Sequence, residues 1–269
     1  MKETDKVFAG SVPVLYDRYM GPLIFEPYAL DVAERVAAIG ARRILETAAG
    51  TGIVSRAMAR RLPPEASILA TDLNQPMLDH AVSLTRSGNV TYGQADAQSL
   101  PFEDGSFDAV VCQFGVMFFP DKPAALAAAR RVLKPGGRFF FSVWDRIEDN
   151  DFTHLAIETL GRLYPANPPR FMARTPHGFH DKTVLERLVR EAGFTQIEID
   201  TLAKVSRAAS ASEPALGICQ GTPMRGEIEA QGDGELQKAT DAVAAAIAQR
   251  FGKGAVEGRI QAIVVSATR

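Results

Sequence analysis

Between residues 40 and 145, apolar runs of strand length alternate with stretches of helical period, and this alternation restricts the fold more than any other feature of the chain. "RRILETA" reads as a short buried strand and "GIVSRAMARRL" as a helix that ends before Pro63 and Pro64. "ASILATDL" is a second strand, and "QPMLDHAVSL" a helix with Pro76 in its first turn. "VTYGQAD" and "FDAVVCQFGV" follow as strands, then the helix "KPAALAAARRVL", stopped by "KPGG", and the strand "RFFFSVW". Strands separated by helices are joined by right-handed crossovers, which lay them parallel. The expected class is therefore α/β with a mainly parallel sheet.

Towards the end of the chain, "TVLERLVREAGF" is an amphipathic helix closed by Gly193, and "TQIEIDTL" a strand. "DAVAAAIAQRFG" and "GRIQAIVVSATR" repeat the pair, and such terminal strands would extend the same sheet. Three segments fit no alternation: 1–39, 145–180 and 203–235. Between them they carry aromatics, prolines and three of the four histidines, and long insertions beside an α/β sheet are commonly lids. The reading is one domain over 1–269, with a cap at 1–39, a ligand-binding core at 40–145, and substrate or lid segments at 145–180 and 203–235.

Charge narrows the partners. A formal net charge of −2, with acidic and basic residues intermixed, gives no basic stripe for nucleic acid and no polybasic membrane surface. The two cysteines, Cys112 and Cys219, lie far apart without metal-ligand spacing, and Cys112 reads as a buried thiol in a strand. The opening "MKETDKVFAGSVPVLYD" lacks the apolar core of a secretory leader, and no window approaches the roughly 20 apolar residues of a membrane span. A cytoplasmic protein acting on a small molecule is expected. A homo-oligomer is allowed by the sequence without being specified by it.

The stretch "ILETAAGTG" places a glycine-rich turn between the first strand and its helix, where backbone N–H groups converge. Gly50 and Gly52 allow a sharp turn and a close approach to a ligand. Asp72 ends the second strand, 20 residues past Gly52, where a carboxylate can accept from ribose hydroxyls. Its plainer role would be a helix N-cap, for which Asn74 is better placed. A dinucleotide site would want Gly or Ala where this chain has Ser55, and Glu46 at the strand tip would repel a pyrophosphate. The same charge suits an ammonium or sulfonium.

These residues resemble the motifs of the class I S-adenosylmethionine-dependent methyltransferases, in particular the ubiquinone and menaquinone biosynthesis branch. The resemblance covers about 40–145. It implies a Rossmann-like seven-stranded sheet, mainly parallel, with helices on both faces, an antiparallel last strand, an N-terminal helical segment and lid insertions. It implies S-adenosyl-L-methionine as cofactor and S-adenosyl-L-homocysteine as product. "ETAAGTG" keeps Glu46, Gly50 and Gly52 but has Ala48 at the family's first glycine, which implies a slightly tighter turn. "ATDLNQPML" puts Asp72 on the ribose, with Leu73 and Met77 near the adenine. "GQADAQSLPF" offers Asp96 to the exocyclic amine and the Ala97 N–H to the ring, although Asp96 could equally cap the following turn. "FDAVVCQFGVMFF" brings the Gln113 carbonyl and the Phe114 ring near the methionine part.

A sulfonium is already a good leaving group, so orientation can replace a dedicated catalytic residue. A hydroxyl acceptor would still want a base, for which His154, His177 and His180 are the candidates. His80 reads as surface or packing. "HGFH" lacks cysteines and a carboxylate at helical spacing, so no metal site is expected. By resemblance, Tyr16 and Tyr19 would close over the methionine moiety, with an ordinary packed helix as the alternative. "ICQGTPMRGEIEA" suggests a turn in which Arg225 could anchor an acidic acceptor. The competing functions are a non-catalytic S-adenosylmethionine- or S-adenosylhomocysteine-binding protein and, against Glu46 and Ser55, an NAD(P)-dependent oxidoreductase.

Overall fold

Ile44 and Leu45 are both fully buried although they point to opposite faces of a strand, as expected where helices cover a parallel sheet on both sides. A computed structural model describes residues 12–269. It contains one seven-stranded sheet of order β3-β2-β1-β4-β5-β7-β6. The strands are β1 (Arg43–Thr47), β2 (Ser67–Asp72), β3 (Val90–Gln94), β4 (Phe107–Gln113), β5 (Leu133–Trp144), β6 (Thr195–Ala208) and β7 (Val256–Thr268). The pairs β1–β2, β1–β4, β2–β3 and β4–β5 are parallel. β7 runs against β5, since Arg269 donates to the Gly137 carbonyl while the Asp145 N–H donates to Gln261. It also runs against β6, with Thr195 bonded to Thr268 and Arg207 paired with Glu257.

By contact the chain divides into two compact units. The first comprises Glu26–Val143, His180–Leu202 and Ala262–Arg269. Its helices are α2 (Glu26–Ala38), α3 (Ile53–Arg61), α4 (Gln75–Leu84), α5 (Lys122–Val132) and α8 (Lys182–Glu191). α2 packs on α3, and α5 on α8. Ala109, Val110, Val111 and Cys112 of β4 have no exposed surface, which marks the centre of this core. The Asp181 carboxylate caps α8 by accepting the Thr183 and Val184 N–H groups at 2.8 and 3.3 Å. "KPGG" does stop α5 at Val132, but it continues as an irregularity within β5. Leu133 pairs with Phe107 and the next pair is Arg138 with Ala109, so the extra residues bulge out, Gly136 at φ +77° among them.

The second unit comprises the described residues up to Phe25, with Trp144–Phe179 and Ala203–Gln261. It begins with α1 (Val12–Leu15), a π-helical stretch Tyr16–Phe25 with Pro22 inside it, and later carries α6 (Asp151–Leu163), α7 (Phe171–Arg174), α9 (Ser212–Gln220), α10 (Met224–Glu229) and α11 (Glu235–Phe251). α11 packs on α6 and α9 through Ala239, Val243 and Ile247, all fully buried. The π-helical stretch lies against α9, where the backbone of Gly217 comes so close that a Cβ there would sit 2.7 Å from Met20 Sδ. The unassigned segments are therefore largely helical. β6 also extends six residues beyond the "TQIEIDTL" strand, to Ala208. Residues 1–11 of the expected 1–39 cap lie outside the described residues.

Candidate functional site

In a parallel sheet, paired residues present their side chains to the same face, and residues two apart along a strand share it. Glu46 pairs with Ala70 of β2 and with Val111 of β4. Asp72 and Gln113 therefore stand one pleat further on the same face, level with Gln94 and Ser142, their own partners on β3 and β5. A row of polar side chains thus crosses the carboxyl ends of the strands inside the first unit, where open α/β sheets bind ligands.

The glycine turn sits at the centre of this row. Ala48 has φ +52°, Gly50 φ +55° and Gly52 φ +77°. Ala48 adopts the left-handed conformation that glycine prefers, so the substitution costs backbone strain and is more than a tighter turn. Its methyl group fits because residue 115 is glycine: a Cβ there would meet Ala48 Cβ at 2.4 Å and Cys112 Sγ at 2.7 Å. Gly52 is demanded from inside the protein, since its Cβ would sit 2.4 Å from the Tyr92 hydroxyl.

Asp72 ties the turn to the end of β2. Its Oδ2 accepts the Gly50 N–H and its Oδ1 the Asn74 N–H, each at 2.8 Å. Asn74 occupies the cap position of α4 but makes no side-chain cap bond, so Asp72 satisfies the backbone there. Burial pushes the Asp72 carboxyl up, against the opposing effect of these N–H donors. Glu46 is more deeply buried, 2% exposed, and accepts from Ser55 Oγ at 2.5 Å. Burial, helped by Asp72 and opposed by the Ser55 bond and Arg56, pushes its carboxyl up to about 8. Ser55, the residue that departs from a dinucleotide motif, is thus the direct partner of Glu46.

The other predicted residues fall around this row. Met77 is buried on α4 and Leu73 is 52% exposed. Asp96 organises its turn, accepting the Gln98 N–H at 2.8 Å, and Ala97 is buried beside it. Phe114 follows Gln113 with φ +56°, and its ring meets Tyr28 edge-on at 5.4 Å. Tyr16 and Tyr19 belong to the second unit. Tyr16 stacks on Phe25 at 4.8 Å, and Tyr19 lies 5.2 Å beneath the Arg18 guanidinium. His154 lies on α6, 3.7 Å from Glu158. His177 is buried with Nδ1 2.8 Å from the Asp145 carbonyl, whereas His180 is half-buried in the first unit. Arg225 lies on helix α10 instead of in a turn, paired with Glu229 at 2.8 Å. Sequence reasoning passed over Tyr92, Thr85 and Ser142, whose spacing carries no motif.

A ligand with a ribose and an ammonium group fits these donors and acceptors. Thr51, in the glycine turn before α3, buries a hydroxyl that has no hydrogen-bond partner, the kind of orphan that a polar ligand satisfies. Among the described residues no group of three or more His, Cys, Asp or Glu could hold a metal, and no helix is long and apolar enough to cross a membrane.

Comparison with known proteins agrees with this chemistry. A family model described as a methyltransferase domain matches residues 45–141. The ubiquinone/menaquinone biosynthesis C-methyltransferase UbiE of Teredinibacter turnerae is 34% identical over 167 residues, which is 57% of this chain and 67% of that protein. The protein of the same name from Francisella tularensis subsp. novicida is 29% identical over 221 residues, 75% of this chain and 88% of that one. In fold, the chain resembles Haemonchus contortus phosphoethanolamine N-methyltransferase 2 in complex with S-adenosyl-L-methionine. The TM-score is 0.60 at 17% identity, over 96% of this chain and 56% of that one.

The chain belongs to the class I S-adenosylmethionine-dependent methyltransferases and is similar to their UbiE branch. It is an enzyme that uses S-adenosylmethionine to methylate a small-molecule acceptor.

Proposed function

We propose that the polar row of the first unit holds S-adenosylmethionine and that the acceptor is a planar phenol or hydroquinone methylated on a ring carbon. The cofactor supplies an electrophilic methyl carbon on a sulfonium leaving group. Asp72 accepts from the ribose hydroxyls, and Leu73 and Met77 flank the adenine. Asp96 accepts from the exocyclic amine while Ala97 donates its N–H. Ala48, Gly50 and Gly52 let the backbone approach, and Glu46 faces the ammonium. The Gln113 carbonyl and Phe114 border the methionine part. Asp72 carries this reading: its carboxylate fixes the glycine turn to the end of β2, with Oδ1 taking the backbone and side-chain N–H groups of Asn74, while Oδ2, which accepts the Gly50 N–H, keeps a second lone pair for the ribose.

For the acceptor, the names of the UbiE relatives support carbon as the methylated atom. The second unit supports a flat, aromatic molecule. Tyr16, Phe25, Trp144 and His177 form a continuous ring series, with centroids 4.8, 6.1 and 6.1 Å apart. A phenolic acceptor needs a base to make its ring carbon nucleophilic. His177, oriented by the Asp145 carbonyl, is the strongest of the three histidines for that role. The segments 1–39, 145–180 and 203–235 are taken to shape acceptor choice within a single working domain, and the enzyme to act in the cytoplasm.

The test is transfer of a labelled methyl group to a panel of hydroquinones, phenols, amines and carboxylates. Label should appear on ring carbon of hydroquinones, and His177→Asn should lower kcat by about 10²-fold or more, the usual worth of a positioned base. Turnover confined to amines or carboxylates contradicts the acceptor assignment.

A further inference from the structure

We propose that Asp145 is the positioning residue of His177: its main-chain carbonyl decides which ring nitrogen carries the hydrogen, and its buried carboxylate balances the charge that the ring gains as a base. The inference rests on the assignment of His177 as the base for the acceptor. Asp145 follows β5 directly, in the second unit, and is 8% exposed. His177, 5% exposed, has Nδ1 2.8 Å from the Asp145 carbonyl oxygen. A carbonyl only accepts, so Nδ1 carries a hydrogen and the neutral ring keeps its lone pair on Nε2.

Both partners of that bond are held from behind. The Asp145 N–H donates to the Gln261 carbonyl at 3.1 Å, and Gln261 Nε2 donates to Asp145 Oδ2 at 2.9 Å. Asn150 is buried and fixes Gln261 in turn, its Oδ1 accepting the Gln261 N–H at 3.1 Å. On the other side, the His177 N–H donates to the Met172 carbonyl at 2.9 Å, where α7 ends. Gly178 makes that turn possible, since a Cβ there would collide with the Arg174 carbonyl.

The surroundings of the Asp145 carboxylate are neutral. Its two hydrogen bonds come from Gln261 Nε2 and, at 2.8 Å, from the Arg146 N–H. Among the described residues no cation pairs with it. Arg146 faces Glu148 and Asp149 at 3.8 and 3.9 Å, and Arg174 bonds to Glu227 at 2.9 Å. A buried carboxylate without a cation costs stability where it stands. This one belongs to the residue whose carbonyl holds the imidazole, so covalent geometry alone keeps it near the ring. When Nε2 takes a proton from an acceptor hydroxyl, the O–H bond breaks, its electron pair stays on the oxygen, and the ring becomes a cation. The carboxylate then has the opposite charge that it lacks in the free protein.

NMR of isotope-labelled histidine rings follows His177, identified as the signal that His177→Asn removes. The neutral wild-type ring should show the Nδ1–H tautomer. Asp145→Asn keeps the shape of the side chain, and the Gln261 amide can turn end for end to accept from it. That variant should retain the tautomer, lower the midpoint of the ring's titration by about one unit or more, and melt no earlier than the wild type. With a hydroquinone acceptor, kcat should fall about three- to tenfold for each unit lost, while KM and the affinity for S-adenosylhomocysteine stay unchanged. An Nε2–H tautomer in the wild type, or an unmoved midpoint in Asp145→Asn, overturns the proposal. Full turnover in His177→Asn overturns the base assignment itself, and this inference with it.

Discussion

At residue 48 an alanine stands in a backbone conformation that glycine adopts freely, and its β-carbon is accommodated only because residue 115 has none. The two positions should therefore be energetically coupled. Gly115→Ala drives a methyl group into Ala48 and Cys112 and should destabilise by about 1–3 kcal/mol, the usual cost of overpacking. Ala48→Gly removes both the clash and a left-handed strain of about 1–2 kcal/mol, partly offset by the entropy of the more flexible unfolded chain. In urea unfolding, Ala48→Gly with Gly115→Ala should lose less than the sum of the single changes, and strict additivity would refute the contact. The sequence revealed the departure at Ala48 but not its cause, since the compensating glycine lies 67 residues further on, on the far side of β4. Ser55 shows the same limit. Its mismatch to a dinucleotide motif was legible, while its bond to Glu46 depends on how α3 sits over β1.

At the scale of elements, the core strands and their helices were legible because each carries its own period and its own punctuation. α4 spans Gln75–Leu84, the same bounds that the Pro76 start and the apolar spacing predict. "KPGG" was legible as a helix stop but not as a bulge, because a bulge is defined by the partner strand that slips past it. α7, α9 and α10 were missed because they are short, the last two separated only by Gly221, Thr222 and Pro223, and α6 was missed although it spans Asp151–Leu163. Caps can be tested independently of the site. Asp181 closes α8 with two backbone bonds, so Asp181→Ala should cost about 1 kcal/mol in urea unfolding. S-adenosylhomocysteine affinity should remain at the wild-type value. A loss of affinity equal to that of a site variant would mean that α8 takes part in binding.

At the scale of the molecule, the chain combines a sheet unit whose strand ends carry the polar row with a largely helical unit whose rings form a series. The first was readable because phosphate-free nucleoside recognition demands particular residue types at fixed strand ends. The second, proposed to meet the acceptor, carries no such pattern, because the shape of an acceptor is not encoded locally. The central claim is that S-adenosylmethionine binds across Asp72 and the glycine turn, and calorimetric titration of the wild type and Asp72→Ala tests it most directly. The wild type should bind S-adenosylmethionine and not NAD. Asp72→Ala, still folded, should lose about 1.5–3 kcal/mol, roughly ten- to a hundredfold in Kd, as charge-assisted bonds to the ribose disappear. Unchanged affinity in Asp72→Ala, or a wild type that binds NAD alone, would contradict the account.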